Sequence, residues 1–410
     1  MDKLNVFSAF DGISAGMTAL NKLNIKPNKY FASEIEKSAI KISKKNWNNI
    51  IHLGDIKNIK YLDNILYKEN EIIFSGKIDL LIGGSPCQSF SFAGKRKGMI
   101  TKDNIEILNL DQYLDLKNQN FEFEGQSYLF WEYIRLLHEI KPKFFMLENV
   151  KMHTKWEGVL NQTIGFEPIM INSSLLSAQN RPRLYWVGKR FNNTYSKVSI
   201  SQPKDKNIYL KDILENFEFQ NISSMVGRRI NKEGHREDYN KNIPLVQCLQ
   251  VKKNNLKSGT ITTVTKDNLL TNLPFGRYPL IIEGKKFGIY NEVIKDNKNN
   301  SLNLVGITAD IKGNDQIKRV YGDSGKSPTL TTMQGGHQEP KVAINNYLYR
   351  KLTVKECARL QTFPDDYFDG FKDSPSYKGI GNSWTVDVIV HIFKEMKFIW
   401  FSLFLILNWN

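Results

Sequence analysis

Short apolar runs alternate with amphipathic segments over the first part of the chain. The stretches LNVFSAF, KYFASE, KIDLLIGG and KFFMLENV are predicted strands, and the last two contain the continuous apolar runs typical of strands buried on both faces of a parallel sheet. Segments with helical spacing separate them, such as ISAGMTALNKL and YLFWEYIRLLHEIKP, which stops at Pro142. This alternation predicts an α/β fold whose ligands bind beyond the carboxyl ends of the strands.

The pattern changes after RLYWVGKR, because residues 189–345 show short β-like pieces, many loops and little helical periodicity. This segment has 25 Lys and Arg against 15 Asp and Glu, so it holds +10 of the chain's formal charge of +15. Such concentration favours a polyanionic partner, nucleic acid before membrane, over a general drift of composition. Two pieces beginning at Ser258 and Ser327 share the pattern T-x-T-T, which hints at related β units. Helical spacing returns at LTVKECARLQTF, where Thr353 and Glu356 have the spacing of a capping box.

The three cysteines are far apart in the sequence and form no C-x-x-C pair. This argues against a disulfide framework or a zinc site, so we expect no metal and a reducing, cytoplasmic environment. Cys248 in a strand-like run and Cys357 on a helix face are expected to be structural. The start of the chain lacks a basic-then-apolar signal region, and the apolar run 398–407 is too short to span a bilayer.

Polar residues follow three successive predicted strands. FSAFDGISAG runs from a strand through a glycine-containing turn into a helix, a geometry that can present backbone N–H groups to a nucleotide-like ligand. Glu34 follows the next strand and could hold ribose hydroxyls, and Asp55 follows the third and could meet a base amine. Taken singly, each could also be a turn or cap residue. Their order at successive strand ends favours an adenosine-containing cofactor.

GGSPCQSFS places Cys87 in a loop after a predicted strand, behind flexible glycines and a stiffening proline. A thiolate there is a candidate nucleophile, although a buried, inert thiol is the alternative. Glu148 ends the next apolar strand, where a carboxyl group can share a proton with a ring nitrogen or simply cap a helix. Arg181 and Arg183 flank Pro182, and their guanidinium groups can bind a carbonyl oxygen and phosphates or form surface ion pairs.

These motifs occur in an order and spacing that resembles the DNA (cytosine-5)-methyltransferases of bacteria and phages. The resembling set is FDGISAG, GGSPCQSFS, ENV, QNRPR, RKLTVKECARLQTFP and GIGNSWTV, and it covers about residues 4–395. The resemblance implies a Rossmann-like, S-adenosylmethionine-dependent sheet with helices on both faces in residues 1–188. It further implies a smaller, β- and loop-rich target-recognition domain in 189–345 and a segment, 346–397, that completes the catalytic domain. The resemblance assigns no role to the hydrophobic tail 398–410, so its role is unknown.

The resemblance also implies a role for each candidate residue. Cys87 would add to C6 of a cytosine flipped out of double-stranded DNA, and Glu148 would hold or protonate N3. Arg183, with Arg181, would contact the cytosine O2 and the adjoining backbone, and C5 would take the methyl group of S-adenosylmethionine. The residues implied to line the cofactor are Phe10, Asp11, Gly12, Ile13, Glu34, Ile35, Asp55, Ile56, Asn382 and Ser383. A monomer is expected, acting in restriction–modification beside a cognate endonuclease or as an orphan or phage enzyme.

Three positions, in two motifs, depart from the family's common pattern. Ser14 and Ala15 stand where the first motif usually has further glycines, and Trp384 stands where a small aliphatic residue is commoner.

Two other functions are alternatives to DNA methylation. An RNA cytosine-5 methyltransferase is disfavoured by the long variable region, and an inactive DNA-binding relative is disfavoured by the intact set of candidate catalytic side chains, which are Cys87, Glu148, Arg181 and Arg183.

Overall fold

The computed structural model describes residues 4–86, 98–215, 221–229, 245–251, 269–271, 276–280, 302–307, 311, 314–333, 338–345 and 348–397. In chain order its first eleven strands are β1 (Asn5–Ala9), β2 (Lys29–Ser33), β3 (Ile50–Gly54), β4 (Ile59–Leu62), β5 (Ile65–Lys68), β6 (Glu71–Ser75), β7 (Leu80–Gly84), β8 (Phe144–Asn149), β9 (Ile169–Asn172), β10 (Pro182–Phe191) and β11 (Thr194–Lys197). The helices are α1 (Ala15–Lys22), α2 (Lys37–Asn46), α3 (Leu110–Asn118), α4 (Phe130–Ile140), α5 (Thr154–Ile164), α6 (Asp315–Lys318), α7 (Val354–Leu360), α8 (Asp373–Asn382) and α9 (Val386–Met396).

The main sheet contains eight strands within the described residues. Seven follow the order β11-β10-β8-β7-β1-β2-β3, and β9 pairs with β10 beside them. The five strands from β8 to β3 are parallel, as the apolar runs predict, whereas β10 pairs antiparallel with β8, β9 and β11. The sheet is therefore mixed, and the parallel part is the portion that ends in the candidate motifs.

The main sheet is buried on both faces. Successive side chains of a strand point to opposite sides, so each strand contributes side chains to both layers of the core. In β1, Val6 belongs to one hydrophobic cluster and Phe7 to the other, and both are fully buried. The Val6 face also contains apolar residues of α1 and α9, and the Phe7 face contains those of α4. Apolar faces at helical spacing thus supply both outer layers, which confirms the α/β prediction.

The C-terminal segment returns to the first part of the chain. Helix α9 packs against α1, and the Nζ of Lys22 lies 2.8 Å from Oδ1 of Asp387. The predicted capping box of α7 is also present: the Thr353 hydroxyl accepts from the Glu356 N–H at 3.2 Å, and the Glu356 carboxylate accepts from the Thr353 N–H at 2.9 Å. Cys357, in the same helix, is fully buried, as expected of a core residue.

Two smaller sheets follow β11 in the chain, and the last strand of the second one lies within the segment 346–397. The strands are β12 (Asn221–Arg229), β13 (Leu245–Val251), β14 (Leu269–Thr271), β15 (Gly276–Leu280), β16 (Leu304–Ile307), β17 (Arg319–Tyr321), β18 (Lys341–Asn345) and β19 (Leu348–Lys351). In the described residues they form the sheets β14-β12-β13-β15 and β16-β17-β18-β19. This β-rich composition agrees with the prediction for the variable segment, and β13 is the strand expected around Cys248.

Two details differ from the sequence-based expectations, and a third expectation lies partly outside the described residues. A separate antiparallel sheet, β4-β5-β6, follows β3 and had no counterpart among the predicted elements. The main sheet continues to Lys197, past residue 188, so the expected domain boundary falls inside β10; the division into domains stays a prediction. Of the two T-x-T-T pieces, the one at 258–268 lies outside the described residues, and in the other Ser327 makes a single bridge to Gln179.

No helix within the described residues combines the length and the apolar character that crossing a bilayer requires.

Candidate active site at the carboxyl edge of the sheet

The candidate motifs meet at one edge because the strands that precede them are parallel neighbours. Ala9 at the end of β1 pairs with Ser33 at the end of β2, and Gly84 at the end of β7 pairs with Glu148 in β8. The carboxyl ends of β1, β2, β3, β7 and β8 therefore lie along a single edge, where ligands of open α/β sheets bind. The sequence alone predicted this convergence.

The loop after β1 is held in place by the carboxylate of Glu34. Its Oε2 accepts the N–H of Gly12 at 2.8 Å, and its Oε1 accepts the N–H groups of Ile35 at 2.8 Å and Glu36 at 2.7 Å. Phe10, Gly12 and Ser14 all have positive φ, at 56°, 58° and 65°. A Cβ at Gly12 would meet nothing within 4 Å, so open space lies in front of this turn.

Asp11 points into the protein rather than into that space. It is 7 % exposed, and its carboxylate accepts hydrogen bonds from the Tyr30 hydroxyl at 2.8 Å and from the Ser14 hydroxyl. Burial raises the pKa of Asp11 to about 6; the hydroxyl donors oppose this rise and the charge of Glu34 adds to it. Ser14, a departure from the family motif, thus supplies a partner for the buried carboxyl group.

The remaining cofactor candidates fall into exposed and buried groups. Ile35 is 61 % exposed beside Glu34, whereas Ile13 and Ile56 are buried and pack in the core. Asp55 follows β3 and accepts the N–H of Lys57 at 3.0 Å, with Nζ of Lys57 3.3 Å from its other oxygen. This set offers carboxylate acceptors and one exposed apolar surface at adjacent strand ends, which suits an adenosine-containing ligand.

Glu148 and Arg183, two of the candidate catalytic residues, are brought together. Nε of Arg183 lies 3.1 Å from Oε1 of Glu148, and both side chains are largely buried. The other carboxylate oxygen, Oε2, accepts the indole N–H of Trp384 at 3.2 Å. Trp384 was not among the candidate site residues; its departure from the family motif was the signal that could have identified it.

Arg181 lies in a different environment from Arg183. Its guanidinium donates to the backbone carbonyls of Leu330 at 3.0 Å, Gly381 at 3.0 Å and Ser383 at 2.9 Å. The side chain is buried, with 4 % exposure, and it connects the start of β10 to two later parts of the chain. Ser383 is buried at this junction, and Asn382, the last residue of α8, is exposed.

Cys87 lies outside the described residues, but the strand leading to it is described. β7 ends at Gly84, and the side-chain N–H of Asn149 donates to the hydroxyl of Ser85 at 3.0 Å. This bond ties the end of β8 to a residue two positions before Cys87. Glu148 and the residues that lead to Cys87 are therefore fixed relative to each other.

The motif order, the sheet and the paired Glu148 agree with one protein family. Its model, C-5 cytosine-specific DNA methylase, matches residues 1–111 and 116–398. The chain belongs to this family. Its members are methyltransferases that act on cytosine C5 of DNA, which makes this protein a DNA cytosine methyltransferase by family.

Named relatives agree with this assignment, and a solved structure has a similar fold. The chain is 31% identical to the orphan methyltransferase M.SPBetaI of Bacillus phage SPbeta, over 97% of this chain and 98% of that protein. It is 27% identical to the type II methyltransferase M.HpaII of Haemophilus parainfluenzae, over 95% and 87%. The solved structure of the Entamoeba histolytica methyltransferase EhMeth is similar in fold, with a TM-score of 0.54 and 14% identity, over 97% of this chain and 98% of that one.

Proposed function

We propose that the protein transfers the methyl group of S-adenosylmethionine to C5 of a cytosine flipped out of double-stranded DNA, through a covalent bond between Cys87 and C6. The observation that supports this most is the placement of Glu148, which is paired with Arg183 and level with Gly84, three residues before Cys87. A nucleophile adds to such a ring more easily when a carboxyl group holds a proton on the basic ring nitrogen. Glu148, beside the strand that leads to Cys87, is in a position to do this.

The roles of the side chains follow from the charge that develops on the base. Addition of the Cys87 thiolate to C6 breaks the C5–C6 double bond, and its electron pair spreads over C5, N3 and O2. Glu148 holds the proton at N3, and Arg183 stabilises the negative charge at O2. When bound, S-adenosylmethionine supplies an electrophilic methyl group to C5. The demethylated cofactor is released as the thioether S-adenosylhomocysteine. The C5 proton is then lost to solvent water, its electron pair restores the C5–C6 double bond, and the C6–S bond breaks to release the Cys87 thiolate, while the proton at N3 returns to Glu148.

We assign the cofactor to the loops after β1, β2 and β3. Glu34 is held by backbone N–H groups in a fixed orientation, so its carboxylate is a suitable acceptor for ribose hydroxyls. Exposed Ile35 offers an apolar surface to the adenine ring, and Asp55 with the backbone of Ile56 offers polar partners to its edge. We assign Phe10, Asp11, Gly12 and Ile13 to the same cofactor site, together with Asn382 and Ser383 of the C-terminal segment; open space in front of Gly12 supports this assignment.

The DNA partner is assigned to the basic segment between the two parts of the catalytic domain. That segment holds two thirds of the net positive charge, +10 of +15, which suits contact with phosphates. The relatives are described as orphan and type II methyltransferases. We accordingly assign this enzyme, acting as a monomer in the cytoplasm of a bacterial or phage-infected cell, to one of these two settings.

The test is transfer of a radiolabelled methyl group from S-adenosylmethionine to duplex DNA that contains all short sequence contexts. We expect incorporation into cytosine C5, loss of incorporation in Cys87→Ser, and a stable protein–DNA adduct on DNA with 5-fluorocytosine. Bisulfite sequencing of DNA from cells that express the protein would give the recognition site. Absence of incorporation into every duplex, or preferential labelling of tRNA in direct competition, would refute the proposal.

A further inference from the structure

The carboxylate of Glu148 is held by two N–H donors from different parts of the chain. Nε of Arg183, in β10, lies 3.1 Å from Oε1, and the indole N–H of Trp384, between α8 and α9, donates to Oε2 at 3.2 Å. A carboxylate has about four lone-pair sites, so two donors fix its orientation and leave sites for a substrate. Arg183 has a role in the proposed reaction at O2, whereas Trp384 has no contact with the reacting base in that mechanism.

The indole lies between helix α1 and the end of strand β7. A Cβ added to Gly84 would lie 2.8 Å from Nε1 of Trp384 and 2.9 Å from Oε2 of Glu148. A Cβ added to Gly16, in α1, would lie 3.6 Å from Cζ3 of the same indole. The ring thus packs against two glycines that leave room for it, and it is only 9 % exposed.

The backbone next to Trp384 is also fixed. The carbonyl of Ser383 accepts from Arg181 at 2.9 Å and from the side-chain amide of Gln361 at 3.1 Å. The hydroxyl of Thr385 donates to the Gln361 side chain at 2.6 Å and lies 2.8 Å from the hydroxyl of Ser173. Because both neighbours are bonded to buried groups, the indole N–H is directed at Glu148 by the fold of the C-terminal segment.

We propose that Trp384 is a positioning residue for Glu148: its N–H holds Oε2, as Arg183 holds Oε1, so that the carboxyl group is oriented for N3 of the target base before DNA binds. This inference rests on the proposed function. A small aliphatic residue at position 384 could not donate this bond, so the arrangement is a property of this chain rather than of the common family motif.

Trp384→Phe tests the proposal because it removes the donor and keeps most of the ring. The matched control is Trp186→Phe, since Trp186 is also a buried tryptophan whose N–H donates to a side-chain oxygen, that of Asn161, at 2.9 Å. Loss of one hydrogen bond to a charged group corresponds to about a tenfold slower chemical step. We expect that loss in the kcat of Trp384→Phe, with an unchanged KM for S-adenosylmethionine, and no loss of kcat in Trp186→Phe.

A double-mutant cycle with Glu148→Ala separates positioning from packing. If Trp384 acts through Glu148, Trp384→Phe slows single-turnover methyl transfer in the wild type but not further in the Glu148→Ala background. Equal kcat in Trp384→Phe and Trp186→Phe, an effect confined to the KM for S-adenosylmethionine, or additive losses in the cycle would each overturn the inference. An inactive wild-type protein would instead refute the proposed function itself, so the two failures are distinguishable.

Discussion

The carboxylate of Glu34, at the end of β2, accepts the backbone N–H of Gly12, in the loop after β1, at 2.8 Å. This bond makes the shape of the glycine-containing turn depend on an acidic side chain that lies 22 residues later in the sequence. The same carboxylate is the proposed acceptor for ribose hydroxyls. One residue therefore both forms the loop and faces the ligand.

Replacing Glu34 is expected to weaken cofactor binding. In Glu34→Ala, the N–H groups of Gly12, Ile35 and Glu36 lose their acceptor, and the ribose loses its partner. Loss of hydrogen bonds to a charged group corresponds to about 2 kcal/mol or more, which is at least about a thirtyfold rise in the Kd for S-adenosylmethionine by calorimetry. Glu167→Ala, an exposed residue between α5 and β9, serves as the control. Equal affinity in the two variants would contradict the assignment.

Gly84→Ala is expected to slow methyl transfer. The new Cβ would lie within 3 Å of both the Trp384 indole and the Glu148 carboxylate, so at least one of them must move. Displacement of a catalytic group by about 1 Å can slow a reaction about a hundredfold, and single-turnover rates on duplex DNA would measure it. Gly158→Ala, in α5, is the control because its Cβ would meet nothing within 4 Å. A rate for Gly84→Ala equal to that control would show that the strand end tolerates the added methyl group.

Substitutions of the two arginines of QNRPR are expected to have different effects. Arg181→Met removes the donor of the Leu330 and Gly381 carbonyls and one of the two donors of the Ser383 carbonyl, so we expect the free energy of unfolding to fall by about 3 kcal/mol. Arg183→Met removes the partner of Glu148, so we expect a large loss of kcat and a smaller change in stability. Urea unfolding and methyl-transfer kinetics on both variants measure the contrast. The reverse pattern, with Arg181→Met inactive but fully stable, would contradict it.

Asp11 is expected to make stability depend on pH. Its pKa rises from 3.8 to about 6 on folding because the carboxyl group is buried. The native state therefore holds this proton more tightly than the unfolded chain does, and the contribution of Asp11 to stability falls as pH rises from about 4 to 6. A shift of this size corresponds to about 3 kcal/mol.

Asp11→Asn removes that titration and keeps a polar side chain for Tyr30 and Ser14. Urea unfolding from pH 4 to pH 7 should show the variant gaining about 2 kcal/mol relative to the wild type across this range, because the unfolded carboxyl group is already partly ionised at pH 4. The comparison uses the difference between the two proteins because other carboxyl groups, such as Glu132 and Asp387, have lowered pKa values and contribute the opposite slope. A difference that stays constant with pH would refute the assignment to Asp11.

The parallel half of the sheet was predictable because each of its strands is an uninterrupted apolar run followed by a polar motif. The cap of α7 was predictable for a similar reason, since Thr353 and Glu356 interact locally. The sheet β4-β5-β6 was missed because its strands are short and partly exposed, with weak alternation. The partners of Arg181 and Trp384 could not be predicted, because they are set by contacts between segments about 150 and 240 residues apart.

The return of α9 to α1 has a consequence for biosynthesis. Trp384 and the helix that pairs with Lys22 are translated long after the strands and loops they complete. A nascent chain that still holds residues 373–397 inside the ribosome lacks the tryptophan beside Glu148 and helix α9, which forms part of one layer on the sheet. Closure over so long a sequence separation is slow, so the chain gains the ability to modify DNA only late in its synthesis.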